Sequence, residues 1–378
     1  MGLLPVRWLT RLLFPAAVLL LIGMWYYTDQ LNQGAFIPSN ATPPPNVRVV
    51  EVGADRIRLA PLDGYEGGAW NHDGLYGLEF NGGYARIGRV IDIRSDSVLR
   101  ELFLNGDAPA QGSEARIDTF VYRGDPKTAL NIDFDDVTVS SSGSQAPAWF
   151  IPGNGTTWAI FIHGKGANRE EAFRILPSLH EINLPSLLIS YRNDADYTSI
   201  EDGRYGYGET EWQDVAAAMD FARDRGAQRF VLIGNSMGGS IVMGTLQQPD
   251  YAALVDAVIL DSPVLSLKQT VEFRAGQRKV PFPITKAALQ FSTWRNGVDW
   301  TKTDYLNRAD SLKAPILLFH GDADRVVPVS TSETLAKARP DLVTFRKLPG
   351  VDHVQAWNAD RELYSLQVKE FLNRTLSR

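Results

Sequence analysis

The stretch Phe230-Val231-Leu232-Ile233-Gly234-Asn235-Ser236-Met237-Gly238-Gly239 carries the residue types best suited to chemistry. An apolar run of β-formers meets Gly-x-Ser-x-Gly, and a small-residue helical pattern continues from about Ser240 to Gln247. That order describes a sharp strand-to-helix turn that lifts one hydroxyl above the end of a parallel sheet. Gly234 and Gly238 leave room where side chains would strike the neighbouring strand and helix. The turn also sets Ser236 at a helix N-terminus, where unpaired N–H groups and the helix dipole favour negative charge. The five-residue pattern alone also fits an ordinary turn with a solvated serine, so a nucleophile requires a base and an acid elsewhere in the chain.

Two later loops supply them. His320-Gly321-Asp322-Ala323-Asp324-Arg325-Val326-Val327-Pro328 follows the apolar strand Ile316 to Phe319. An acid at a strand's C-terminal end reaches a site above the sheet. Asp324 is the expected acid, and Asp322 is its rival or a brace for the turn. Gly350-Val351-Asp352-His353 follows the strand from Thr344 to Leu348. The histidines are His72, His163, His180, His320 and His353, and His353 alone follows both Ser236 and Asp324. Ser, Asp, His is the order that such a sheet permits. His72 reads as a turn residue, His163 as a loop buttress, His180 as a helix-end residue and His320 as structural.

His163-Gly164-Lys165-Gly166 comes directly after the strand Thr157 to Ile162. It lacks the third glycine that a phosphate-binding loop needs. In acyl transfer the backbone N–H of Lys165, with Gly166 as the fallback, would act beside that of Met237 on a developing oxyanion. Each such donor commonly matters by about 3 kcal/mol.

These loops need a frame. Asp136 to Ser140 and Ala146 to Pro152 read as a hairpin. Strands then alternate with helices: Thr157–Ile162, a helix from about Arg169 to His180, Ser186–Tyr191, a helix from Glu211 to Arg225, Phe230–Ile233, Ala257–Leu260, Ile316–Phe319, Thr344–Leu348 and a closing helix from Gln355 to Leu376. Short apolar β runs between amphipathic helices predict an α/β fold, a mostly parallel sheet covered on both faces. Leu265 to Ala309 interrupts the alternation as a short helical insertion carrying Phe273, Trp294 and Trp300. Aromatics beside a strand's C-terminus suit an apolar pocket. Met237 is expected to line it, and the Gly203 to Gly208 loop to form a rim.

From about Asp136 onward, the strings Phe-Ile-His-Gly-Lys-Gly, Gly-Asn-Ser-Met-Gly-Gly, His-Gly-Asp-Ala-Asp-Arg-Val-Val-Pro and Val-Asp-His resemble the α/β-hydrolase superfamily, in its prolyl-oligopeptidase-like and bacterial esterase branches. The resemblance implies the α/β-hydrolase fold, a Ser236–Asp324–His353 triad, no cofactor, and an insertion that forms a lid over the serine. It implies a serine hydrolase acting on a small acyl ester or thioester, with a peptidase as the alternative. Such peptidases usually carry a large N-terminal propeller, and the segment before the catalytic body is too short for one. A catalytically inactive binding protein on the same fold usually lacks a triad member, whereas all three are present.

Composition is consistent with this frame. The 378 residues are 44% hydrophobic and 22% charged, enough for a well-packed body. The net charge of −6 and the absence of a basic run argue against a nucleic-acid partner. No cysteine is present, which excludes disulfides and thiolate chemistry. No His-Glu-x-x-His or similar cluster suggests a metal.

Residues 1–28 read as a signal-anchor or a cleavable signal peptide. Leu12 to Tyr27 carries no charge, with Arg7 and Arg11 before it and Asp29 after it. The run is short for a span of about 20 residues, and Trp8, Leu9 and a snorkelling Arg11 would extend it. The positive-inside rule places the remainder of the chain outside the cytoplasm, either on a single-pass anchor or secreted. Residues 29–46 read as a Pro-rich linker, 47–130 as a β-rich N-terminal segment, and 131–378 as the catalytic domain, with the insertion at about 265–309. Asn81-Gly82-Gly83 marks a hairpin in the β-rich segment.

Overall fold

The computed structural model describes residues 6–39, 42–65, 67–141, 144–194, 196–197 and 203–377. The β-rich segment folds as a closed barrel of six strands: β1 (Val47–Val52), β2 (Arg56–Pro61), β3 (Tyr76–Phe80), β4 (Gly83–Ile93), β5 (Val98–Leu104) and β6 (Glu114–Asp118). They close in the order β1-β2-β5-β4-β3-β6, antiparallel throughout. Along β1, Val47 and Val49 face the barrel interior and Arg48 and Val50 face out, the two-residue period of a half-buried strand. Asn81 and Gly82 make the tight turn between β3 and β4, with Gly82 at φ 84°.

The barrel interior also holds a cation. Arg100 is fully buried, and its guanidinium donates to the carbonyls of Gly88, Ala69, Trp70, His72 and Gly74. Those oxygens replace lost water and clamp the loop between β2 and β3. Burial pushes the Arg100 guanidinium down to about 10.

The body is an eight-stranded sheet: β7 (Asp135–Ser141), β8 (Ser144–Ile151), β9 (Thr157–Ile162), β10 (Ser186–Ile189), β11 (Arg229–Asn235), β12 (Val255–Asp261), β13 (Ile316–Gly321) and β14 (Val343–Leu348). The order is β14-β13-β12-β11-β9-β10-β8-β7. From β10 to β14 every pair is parallel, and β8 and β7 add an antiparallel edge. Ile160, Leu232, Val258 and Leu318 face one core; Phe161, Ile233, Ile259 and Phe319 face the other. Two covered faces explain why the central strands read as unbroken apolar runs rather than alternating ones.

The helices are α1 (Val6–Leu31), α2 (Pro126–Leu130), α3 (Leu176–Glu181), α4 (Trp212–Arg223), α5 (Met237–Leu246), α6 (Pro249–Ala252), α7 (Leu267–Gln277), α8 (Phe282–Asn296), α9 (Val329–Ala338), α10 (Ala356–Ala359) and α11 (Arg361–Leu376). Two expected long helices are divided. Residues Arg169–Arg174 form a 3-10 turn before α3, whose first turn contains Pro177. Proline supplies no N–H to continue a preceding helix. The closing helix breaks at Asp360, whose carboxylate accepts from Leu363 N (2.9 Å) and caps α11.

The N-terminal segment departs from the expected boundary at residue 28. Helix α1 continues to Leu31, and a single π turn, Asn32–Phe36, follows. Phe36 is buried in the core against Tyr207 and Trp300, and its carbonyl accepts from Tyr205 N (2.8 Å). A buried phenyl ring and its paired carbonyl hold this part of the expected linker in place. Upstream, α1 lies on α8. Thr28 donates to the Ala288 carbonyl (3.4 Å), and Trp25 packs between Phe291 and the Arg295 guanidinium. Among the described residues no helix is long and apolar enough to cross a membrane.

Barrel and body are joined at the chain leading out of the last βα loop. Asn358 donates to the carbonyls of Leu75 and Thr119 (both 2.9 Å) and accepts from Arg174 (3.1 Å). Leu75 N returns a bond to the Asn358 carbonyl, and the Tyr76 hydroxyl donates to Gln355 (3.3 Å).

Candidate active site

Ser236 sits between β11 and α5 with φ 51° and ψ −115°, a conformation that a non-glycine residue rarely adopts. Its neighbours explain why the turn is tolerated. A Cβ on Gly238 would lie 2.1 Å from the Ile162 carbonyl oxygen, and one on Gly234 would lie 2.6 Å from that of Gly238. Both glycines are therefore demanded by close backbone approach. The Ser236 amide donates to the Asp261 carbonyl (2.9 Å), and its carbonyl accepts from Gly239 and Val264. The strained turn is thus held on both sides.

Three residues from separate loops meet at this turn. His353 Nε2 lies 2.8 Å from Ser236 Oγ, and its Nδ1 lies 2.7 Å from Asp324 Oδ2. A carboxylate only accepts, so Nδ1 carries the proton and Nε2 is free to accept from the hydroxyl when the ring is neutral. The loop around His353 is fixed by its neighbours. Asp352 accepts from the amides of His353 (2.8 Å) and Arg325 (3.1 Å) and pairs with the Arg325 side chain. Asp322 is exposed and accepts from Gly350 N (2.7 Å), bracing the same turn. Between the two acids, the geometry brings Asp324 to the histidine.

Asp324 is almost fully enclosed and has four donors. Oδ1 accepts from the amides of Val326 (2.7 Å) and Val327 (2.8 Å). Oδ2 accepts from His353 and lies 3.1 Å from His320 Nε2, which shares its N–H with the Val327 carbonyl (3.2 Å). Burial works against its ionisation, but the His353 charge and the bonds from both rings outweigh burial and hold the carboxyl well below the usual range. Burial likewise works against protonation of His353, yet the charge of Asp324 and the bond to it keep the imidazole above its ordinary value.

His320 reads as structural in the sequence, but it is a direct partner of Asp324. Its Nδ1 lies 2.7 Å from Ser332 Oγ. A signal exists for it: His320 is the penultimate residue of β13, four residues before the acid, so the two lie close in one strand-to-loop turn.

Lys165 and Met237 both border the cavity at Ser236. Gly164 is close enough to Ser236 that a Cβ on it would lie 3.3 Å from the serine Cβ. Met237 is the first residue of α5, where an amide has no partner within its own helix. Beneath the loop, His163 is fully buried and lies 2.9 Å from both Asp194 Oδ2 and the Gly164 carbonyl. His163 buttresses the loop as expected, and Asp194 is a partner the sequence does not announce.

The cavity over Ser236 and His353 has a volume of about 580 Å³. Helices α7 and α8 cover it, and so does the N-terminal segment, with Tyr26, Tyr27, Leu31 and Ala35 in its wall. The Lys165 ammonium donates to the Gly34 carbonyl, and the Tyr207 hydroxyl donates to the Ala35 carbonyl (2.9 Å). Of the expected rim, Tyr207 is in the lining. The aromatics of the insertion are placed differently from expectation. Trp294 is 76% exposed on the outer surface of α8, and Trp300 packs on Phe36. The apolar wall is aliphatic instead, from Val264, Leu267, Val271 and Leu289. His72 lies in a turn of the barrel, beside Gly350. His180 lies in the last turn of α3. Among the described residues no group of three or more acidic or histidine side chains is arranged to hold a metal ion.

Comparison with known proteins gives the same architecture. The model of the prolyl oligopeptidase family matches residues 198–377, which include Ser236, Asp324 and His353. The uncharacterized protein YfhR of Salmonella typhimurium is 27% identical over 283 residues, covering 69% of this chain and 87% of its own length. The uncharacterized protein Rv2307c of Mycobacterium tuberculosis is 25% identical over 252 residues, covering 64% of this chain and 79% of its own. Among solved structures, the esterase Pf2001 of Pyrococcus furiosus superposes with a TM-score of 0.54 at 20% identity, covering 67% of this chain and 96% of that one.

Proposed function

We propose that this chain is a serine hydrolase of the α/β-hydrolase superfamily, cleaving carboxylic esters or thioesters through an acyl-enzyme. The observation that carries the reading is the hydrogen-bonded line from Ser236 through His353 to Asp324. His353 Nε2 takes the hydroxyl proton as Ser236 Oγ attacks the carbonyl carbon. The carbonyl oxygen becomes an oxyanion, and the amides of Met237 and Lys165 stabilise it. Collapse breaks the bond to the alcohol or thiol, which leaves with the proton from His353. Water then attacks the acyl group with His353 again as base, and Ser236 leaves with that proton. Asp324 keeps the ring in one tautomer and stabilises its cation.

A fluorophosphonate probe tests the reading. Wild type is expected to label at Ser236 and Ser236→Ala to remain unlabelled; equal labelling of the two rejects it. The match to the prolyl oligopeptidase family model favours a peptidase as the second reading. Against it, the segment before the catalytic body is a six-stranded barrel, far smaller than a propeller. Comparing p-nitrophenyl esters with peptide anilides separates the two.

We further propose that the enzyme sits at a membrane, outside the cytoplasm, tethered through its N-terminal segment, residues 1–28. Arg7 and Arg11 before an uncharged run support it, as do the exposed Leu21, Ile22, Trp25 and Tyr26. Alkaline carbonate extraction of membranes tests it: release of the full-length protein into the supernatant rejects an anchor.

A further inference from the structure

The cavity wall has an uneven charge. Lys165, Arg274 and Arg278 line it, and among the described residues no aspartate or glutamate does. The chain as a whole carries more acidic residues than basic ones, 44 against 38, so a purely cationic lining runs against its composition. Arg274 and Arg278 are one turn apart along α7 and its C-terminal end, on one face of the helix. Among the described residues neither guanidinium has a carboxylate partner, and the nearest acid on the helix, Glu272, is paired with Lys268. Burial and the charge of Arg278 hold the Arg274 guanidinium below its usual range. Burial and the charge of Arg274 push the Lys165 ammonium down to about 8.

Gathering like charges in a half-enclosed space is costly. Charged pairs elsewhere in the protein are matched: Arg192 with Asp214, Arg229 with Asp256, Arg174 with Glu171. Arg274 is half-buried and has no such paired carboxylate, only the more distant charge of Asp324, while Arg278 beside it is exposed; an anion arriving from solution would supply the missing partner. The rest of the wall, Leu31, Val264, Leu267, Val271 and Leu289, is hydrocarbon. Cations beside an aliphatic channel complement a molecule with an acyl chain and an anionic group.

We propose that the pocket selects acyl esters bearing a fixed negative charge, a phosphate or a carboxylate, with Arg274 and Arg278 holding the charge while the acyl carbonyl lies at Ser236. The assignment rests on the serine hydrolase reading. Guanidinium forks match both phosphate and carboxylate, so two arms separate the sources. In one, the charge is on the alcohol side: 1-dodecanoylglycerol 3-phosphate is compared with 1-dodecanoylglycerol. In the other it is at the far end of the acyl chain: mono-p-nitrophenyl sebacate is compared with p-nitrophenyl decanoate.

The readout is the ratio of kcat/KM for the charged and neutral member of a pair, measured on the full chain. In at least one arm the wild-type ratio is expected to exceed one by about tenfold or more, as a charge-assisted bond of this kind supplies. Arg274→Gln with Arg278→Gln collapses that ratio towards one, and Arg274→Lys keeps most of it. The ratio is internal to each variant, so a partly unfolded preparation does not move it. A wild-type ratio near one in both arms overturns the proposal, as does a ratio that survives the double glutamine variant. Ser236→Ala separates the two levels: turnover that persists in it rejects the serine hydrolase reading itself. Serine-dependent turnover without charge preference rejects only this inference.

Discussion

His353 takes its properties chiefly from one carboxylate, Asp324, which has two histidine partners. Because Asp324 raises the imidazole above its ordinary value of about 6.5, the ring keeps its proton to a higher pH than free imidazole does. A base must be neutral to accept from Ser236, so kcat/KM is expected to rise with pH along a limb whose midpoint lies above about 6.5. A pH–rate profile with its midpoint below that value contradicts the assignment. His320 takes part in the same balance. Replacing it in His320→Phe removes one of the donors to Asp324 Oδ2 and leaves the carboxylate charge more fully to His353. The expected result is a fall in kcat/KM of about tenfold to a hundredfold and a limb displaced to higher pH. A purely structural histidine would lower the folded fraction without moving the limb. At this scale the sequence is most legible where residue type and chain order coincide, as for Ser236 and His353. Asp324 and Asp322 are chemically alike; the Val326 and Val327 amides that reach Asp324 are local to its turn, but the His353 imidazole that singles it out is a tertiary contact. The charge pair on α7 is readable as an i, i+4 repeat, but nothing in the sequence says that this helix face borders a cavity.

The elements show where local signals suffice. The alternation of apolar strands and amphipathic helices marks the sheet because both periods are set by burial on its faces. Helix boundaries are less legible: Pro177 and Asp360 each end a helical run that hydrophobic periodicity alone would continue. The least legible element is the N-terminal one. Proline and polar residues after Tyr27 resemble a spacer, and the single phenyl group that docks this stretch gives no periodic signal. Phe36→Ala is expected to cost about 3 to 5 kcal/mol, the loss for a fully buried phenyl, measured by denaturant unfolding. It is also expected to raise KM for ester substrates, since Gly34 and Ala35 belong to the cavity wall. A variant with wild-type stability would show that the π turn is not docked in solution.

At the scale of the molecule, the barrel and the sheet share the stretch of chain after His353. Asn358 is the knot: three side-chain bonds tie it to Leu75, Thr119 and Arg174, with Val354 also bonded to Arg174 (2.6 Å). Asn358→Ala strands several buried partners and is expected to lower stability by about 2 to 4 kcal/mol, read as a reduced thermal midpoint. Closure of the barrel is beyond the sequence. Short strands and a hairpin turn are visible there, but the pairing of β1 with β6 spans most of the segment and depends on no local motif. Arg100 in the same segment reads as an ordinary strand arginine until the carbonyls around it are found.

The helical stretch from α1 into its π turn has no break before the ring of Phe36. At about 1.5 Å per residue, the distance along it from Ile22 to Leu31 is roughly 14 Å of stiff rod. Such a rod transmits orientation as a lever does. Whatever grips its upstream end also sets the bearing of the cavity mouth, with no slack between the handle and the blade.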